Sequence, residues 1–153
     1  MDETPRVAWL LRAIVILVSL QFLLGIWVNL FGTFPSTNNV QTAVMYGGDP
    51  VLSLHYVLAI ILVVLAAVVT YRAFRPGVPM SVRWLVLGGL LSVFWAVAAG
   101  VELILSGFSN NGDSFSMAFA FIVAMTFYGL AQAALLPRAP ASPRSDGVPS
   151  APS

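Results

Sequence analysis

Four stretches of this chain, roughly Val7–Phe31, Val51–Tyr71, Trp84–Leu105 and Ser114–Leu136, are apolar almost throughout. No other feature constrains the fold as strongly. A helix rises about 1.5 Å per residue, so about 20 residues cross the hydrocarbon core of a bilayer. In that medium every backbone N–H and C=O must find its partner inside the segment, and a helix does this. The expected fold is therefore an all-α integral membrane protein, a four-transmembrane-helix up-down-up-down bundle over residues 1–136. The charged fraction agrees: 8% of 153 residues against about 25% in a soluble domain. The tail 137–153 holds five of the ten prolines and is expected to be a disordered cytoplasmic extension.

Helix-end chemistry brackets these runs. Thr4-Pro5 and Asp49-Pro50 each set a capping side chain before a proline suited to the first helical turn. Ser81 and Asp113 are the capping candidates for the other two spans. Arg75-Pro76-Gly77 and Leu136-Pro137 are stops.

All seven basic residues are arginine: Arg6, Arg12, Arg72, Arg75, Arg83, Arg138 and Arg144. An N-terminus in the cytoplasm puts all of them on the cytoplasmic side, and loops 32–50 and 106–113 carry none. This is the asymmetry of a multi-pass bacterial inner-membrane protein with both termini inside. The first run continues through Asn29 to Phe31 with no small-x-small site after it, so it reads as a retained span, not a cleaved signal peptide.

Several function classes fall away. There is no cysteine, which excludes thiolate chemistry, iron–sulfur clusters and a zinc–cysteine site. Zinc sites use three or four His, Cys or carboxylate ligands, and the polar level of His55 and Glu102 offers two plus an amide. No serine sits in a nucleophile elbow and no phosphate-binding glycine loop follows a strand. A net charge of +1 offers no nucleic-acid surface. No catalytic residue is assigned.

In lipid, helices associate through small residues and interhelical hydrogen bonds. Gly88, Ser92, Ala96 and Gly100 form a stripe in the third span; Ser116, Ala120 and Ala124 form a shorter one in the fourth. Gln21, Gly25 and Gly32 share a face of the first span, and Ala59, Ala66 and Thr70 one of the second. These seams serve either the bundle itself or, for Gly88–Gly100, a homodimer. Gln21 is expected to bond across the bundle to Thr126 or Gln132.

Ionisable residues within spans are functional candidates by default. His55 and Glu102 are the two, each roughly 5–7 Å below the outer boundary. Asn29 and Met117 belong to the same level. Three readings stay open. The first is a closed hydrogen-bond cluster, with His55 on Glu102 or Asn29, that fixes helix register. The second is a cofactor site with His55 as axial haem ligand and Met117 or nothing opposite. The third is a site for a small ligand, lipid or proton at His55 and Glu102. Above this level, Thr37–Tyr46 reads as a short interfacial helix ended by Gly47-Gly48, either a lid or an anchor. Trp27, Tyr46 and Tyr56 are expected in an outer aromatic belt, and Trp9, Tyr71 and Trp84 in an inner one.

The run from Gln21 through Gly25 and Asn29 to Phe31, then Pro35, then Leu54-His55, resembles small uncharacterised four-span membrane proteins of actinobacteria and archaea. More distantly, over about the first 75 residues, it resembles one half of haem A synthase. That resemblance implies a second-helix histidine, here His55, as a haem b ligand. It also implies a fourth-helix histidine that residues 114–136 lack, and a glutamate before the second-helix histidine where Val51-Leu-Ser-Leu54 stands. The expected function is a non-enzymatic accessory or structural membrane subunit, contacting itself or a larger complex. The alternatives are a b-type haem or quinone-linked electron-transfer protein and a small-ligand carrier or sensor.

Overall fold

The computed structural model describes residues 3–46 and 49–136. It contains helices α1 (Thr4–Phe31), α2 (Val40–Tyr46), α3 (Pro50–Ala73), α4 (Met80–Leu105) and α5 (Asn111–Ala134), and no strand among the described residues. Four of them, α1, α3, α4 and α5, are long and apolar enough to cross a membrane. The chain is an all-α integral membrane protein. Around the bundle α1 touches α3 and α5, and α4 touches α3 and α5, while the diagonal pairs do not meet. The ends are named here by what they carry: the arginine end, and the α2 end where Phe31, Pro50, Leu105 and Asn111 lie.

The α4–α5 pair is the most intimate, and two glycines explain it. A Cβ on Gly89 would stand 2.5 Å from Tyr128 Cζ, and one on Gly88 would stand 2.8 Å from Phe127 Cε1. Two adjacent absent side chains let the α5 rings lie on the α4 backbone, as small residues do at membrane helix seams. Ser92 and Ala96 are buried on the same side, and Gly100 is in van der Waals reach of Met117 Sδ, 3.4 Å from its Cβ position. The Gly88–Gly100 stripe is thus covered by α5 of the same chain.

The arginine half is packed solid. Val7, Leu11, Ile14 and Val18 of α1 meet Leu62, Ala66 and Val69 of α3, Val82, Val86 and Val93 of α4, and Ala124, Tyr128 and Ala131 of α5. The opposite faces expose Trp9, Ile16, Leu23, Ile61, Trp84 and Leu91, a surface suited to lipid. At the arginine end Glu3 takes Arg72 at 3.3 Å and Arg6 at 3.5 Å. Such partly exposed pairs are worth little each, and their effect is to hold the start of α1 beside the end of α3. The segment 137–153, with Arg138 and Arg144, lies outside the described residues.

Three helix starts differ from the sequence reading. Thr4 is the first residue of α1, not its cap; the cap position is Glu3, without a capping side-chain bond, and Thr4 Oγ1 donates to Gly77 O at 3.3 Å. Met80 opens α4 after Pro79, so Ser81 is already helical. Asn110, not Asp113, caps α5 by accepting from Gly112 N at 3.0 Å; Asp113 lies in the first turn, where a carboxylate suits the helix dipole. Each start falls three residues or so earlier than hydropathy suggests, because helices begin in the polar residues ahead of the apolar run.

Asp49 does cap α3. Its Oδ1 accepts from Val51 N at 2.8 Å and Leu52 N at 3.4 Å, and its Oδ2 accepts from Thr33 N at 3.1 Å. One carboxylate therefore ties the exit of α1 to the entry of α3. These donors, Thr33 first, hold its pKa below the ordinary 3.8, because they favour the charged form. A depressed folded pKa contributes stability above the unfolded pKa and loses it as pH falls through the folded value. Asp49→Ala should lower the unfolding midpoint at pH 7, and the deficit should shrink as pH is taken below 3.8. Asp49→Asn should keep most of the cap and lose the pH dependence. An equal deficit at pH 7 and pH 2 for Asp49→Ala would contradict this account.

Candidate functional site

The α2 half is built differently from the arginine half. Gly25 of α1, Ala59 of α3, and Ala96 and Gly100 of α4 face one another there, and with so little side-chain volume the helices enclose a cavity of about 290 Å³. That lies near the lower end of ordinary ligand sites. Val28, Leu52, Leu103, Ile104 and Phe121 are among the other lining residues, and no charged residue lines it.

One wall is polar. Gln21 Nε2 donates to His55 O at 2.9 Å, which fixes the carboxamide and leaves Oε1 as its acceptor. His55 is 7% exposed, and its Cε1 lies 3.3 Å from the Cβ position of Gly25, so a side chain there would sit tightly on the imidazole and push it by a few tenths of an ångström. Tyr56 follows in the same wall. Gln21 Oε1, His55 Nδ1 and Tyr56 OH are all buried without a hydrogen-bond partner. Each such group costs about 1–3 kcal/mol, and native interiors rarely leave them in this state.

The cavity has a cover. Thr37 Oγ1 accepts from Asn39 N at 3.1 Å, and Asn39 Oδ1 accepts from Thr42 N at 3.0 Å. Asn39 therefore starts α2, whose seven residues make about two turns, shorter than the expected Thr37–Tyr46 helix. Val40 and Val44 of α2 line the cavity. Gly47-Gly48 lie outside the described residues, as does the side chain of Tyr46. At the end of α4, Gly107 N bonds Ile104 O at 2.9 Å and Phe108 N bonds Leu103 O at 2.8 Å, the paired bonds of a Schellman cap. Phe108 has φ 59°, a conformation that costs a bulky residue energy. Its ring stacks on Phe34 at 4.7 Å between centroids, and both rings line the cavity. A second void of about 140 Å³ lies between α1 and α5 and shares Gly25, Asn29, Ser114, Met117 and Phe121 with the first.

The expected polar layer is thus brought together only in part. His55, Asn29 and Met117 line the cavity. Glu102 does not: it is exposed on the outside of α4, and no hydrogen bond or ion pair joins it to His55 among the described residues. Asn29 also leaves His55 alone; its Oδ1 accepts from Ser114 Oγ at 3.0 Å across the α1–α5 seam. Gln21 meets the α3 backbone and neither Thr126 nor Gln132, while Thr126 Oγ1 turns back to Ile122 O at 2.9 Å. Tyr56, expected in the outer aromatic belt, is half-buried at the cavity, whereas Trp9, Trp27, Tyr71 and Trp84 are exposed as belt residues should be. Phe34 and Phe108 carried no signal in the sequence, since a stacked cover depends on where two loops end.

Among the described residues no three His, Cys, Asp or Glu gather as a metal site would require. Comparison with protein-family models, with curated proteins and with solved structures gives no match. What stands to be interpreted is an apolar cavity in a membrane bundle, with His55 and Tyr56 among its lining.

Proposed function

We propose that this protein binds a small uncharged amphipathic molecule in the cavity beneath α2, as a non-enzymatic carrier or sensor. The observation that carries the reading is an apolar cavity of about 290 Å³ inside the bundle, with His55 and Tyr56 among its lining and no ionised side chain. Gln21 Oε1, His55 Nδ1 and Tyr56 OH have no partner in the structure, whereas a register-locking cluster would close these groups on one another, because buried polar groups are costly unless paired. A ligand with a small polar head and an apolar body suits that lining and fills the space. A charged ligand would enter a wall without counter-charge. The arginine asymmetry of the sequence puts the α2 end on the outer side of a bacterial inner membrane. An accessory role through Gly88–Gly100 has less support, since α5 occupies that stripe.

Haem b is the second reading, favoured by Met117 lining the same cavity as His55; thioether and imidazole are a familiar axial pair. Haem also brings two carboxylates. No arginine lines the cavity, so the donor atoms suit haem and the charge does not.

The test is a titration of the purified protein with 1-octanol, followed by the unfolding midpoint. A saturable rise is expected, since ligand at about 100 times Kd adds about 2.7 kcal/mol. Gly100→Phe, which fills the cavity, should show no rise. Equal responses in both proteins would overturn the reading. Absorption spectra, oxidised and dithionite-reduced, should be featureless; a Soret band lost in His55→Ala would install the haem reading instead.

A further inference from the structure

Ionised side chains in membrane spans ordinarily face the bundle interior and pair there. Arg12 does neither. It sits about two turns into α1 and is exposed on the outside of the bundle. Its neighbours along that face, Trp9 and Ile16, are 67% and 61% exposed. The buried face of α1, formed by Val7, Leu11, Ile14 and Val18, centres about 130° around the axis from it at about 100° per residue. Among the described residues no hydrogen bond or ion pair reaches its guanidinium.

The other described arginines are engaged. Glu3 holds Arg72 at 3.3 Å and Arg6 at 3.5 Å. Arg75 lies over the Tyr71 ring, 4.6 Å from its centroid. Arg83 donates from Nε to Val78 O at 3.1 Å and from Nη2 to Arg75 O at 3.3 Å, which closes the α3–α4 turn. Glu3 is the sole carboxylate among the described residues of this end, and it is already shared. The counter-charge for Arg12 must come from outside the chain.

Depth says which anion can reach it. From Phe31 back to Arg12 is about 28 Å of helix, and the hydrocarbon core of a bilayer is about 30 Å thick. With Phe31 at one edge of the core, Arg12 stands at the other. Side chains on a helix lean toward its N-terminus, which for α1 is the arginine end. The guanidinium therefore rises into the layer of Trp9, an aromatic placed as interfacial anchors are. The anion of that layer, on a lipid-facing surface, is the phosphate of a lipid. Guanidinium and phosphate oxygens match in two parallel hydrogen bonds.

We propose that the outer face of α1 around Arg12 and Trp9 is a binding site for an anionic phospholipid. Arg12 takes the phosphate, and an acyl chain lies along the exposed Ile16 and Leu20. A zwitterionic lipid brings its own cation to this end; an anionic one matches its positive excess. The site is separate from the cavity, which lies in the α2 half, and does not depend on what the cavity binds.

The test is native mass spectrometry of the delipidated whole protein, titrated with dioleoylphosphatidylglycerol and, separately, with dioleoylphosphatidylcholine. The anionic lipid should bind about fivefold more tightly, the factor that one arginine at a membrane surface contributes. Arg12→Gln should abolish that preference. Arg12→Lys, which keeps the charge and loses the fork, should retain part of it and so separates loss of charge from loss of fold. Arg75→Gln should leave the preference almost intact. Equal affinity for the two lipids in the parent overturns the proposal. Equal losses in Arg12→Gln and Arg75→Gln also overturn it, because diffuse surface charge would then explain the preference. An excess of inorganic phosphate should leave lipid binding unchanged; displacement by it would make Arg12 a site for the free ion and overturn the assignment to a lipid.

Discussion

Gly89→Ala should destabilise the bundle by about 3 kcal/mol, and Gly89→Leu should prevent α4 and α5 from pairing. On an ordinary helix surface the first change would stabilise, because alanine exceeds glycine in helix propensity by about 1 kcal/mol. Here the added Cβ would stand 2.5 Å from Tyr128 Cζ and 2.6 Å from Cε1. Tyr128 cannot withdraw, being fully buried among the core side chains of all four long helices. Either the ring takes a strained rotamer or the two helices separate, and overpacking of this kind costs about 1–3 kcal/mol and sometimes more. The check is unfolding in mixed micelles with increasing dodecyl sulfate, followed by circular dichroism. Two comparisons isolate the cause. Gly129→Ala lies on α5 with nothing within 4 Å of its Cβ position and should be neutral or slightly stabilising. Tyr128→Leu should cost stability in the native background yet lessen the penalty of Gly89→Ala, a coupling expected only of residues in contact. A Gly89→Ala protein as stable as the parent would mean that the α4–α5 seam does not depend on this approach.

The legible parts of this molecule were those set by one-dimensional physics. Hydropathy over twenty residues located α1, α3, α4 and α5, because the bilayer imposes that length on any crossing helix. Asp49-Pro50 was readable as a helix start because the cap bonds run to residues two and three positions on. The small-residue stripe of α4 was readable as a packing seam for the same local reason.

The site was legible only where the helical face was correctly centred. The buried residues of α4, Val82, Val86, Gly89, Ser92, Val93, Ala96, Ala99, Leu103 and Ile104, centre about 100° around the axis from Gly88 at about 100° per residue. Gly88 is therefore at the edge of the face, and Glu102, about 40° beyond it on the far side, falls outside the bundle. His55 was correctly placed because α3 buries Leu52, His55, Leu62, Ala66 and Val69, a face its small residues identify. The Gln21–His55 O bond was not legible. It joins a side chain to a backbone carbonyl 34 residues away, and no spacing in the sequence encodes which turn of α3 faces which turn of α1. The cavity itself arises from four small residues on three helices, and each of them looks in isolation like a packing residue.

His55→Leu should raise the stability of the ligand-free protein while weakening ligand binding, and the sign of the stability change is the informative part. Were the imidazole the centre of a closed cluster, its loss would leave partners unsatisfied and lower stability by about 1–3 kcal/mol. In this structure His55 Nδ1 has no partner, and Gln21 bonds the backbone of residue 55, not its side chain, so that bond survives the substitution. Leucine removes an unpartnered buried polar group and keeps an apolar contact with Gly25, so the free protein should gain about 1 kcal/mol or more. Binding of 1-octanol should weaken by about tenfold for the lost hydrogen-bond partner. The two effects cross. Without ligand the variant should unfold at the higher dodecyl sulfate fraction; at saturating 1-octanol the parent should overtake it. A site that holds unpartnered polar groups at a cost to stability is the trade expected where function sets the residue. A variant less stable than the parent under both conditions would assign His55 to the architecture of the bundle and leave the cavity without its polar wall.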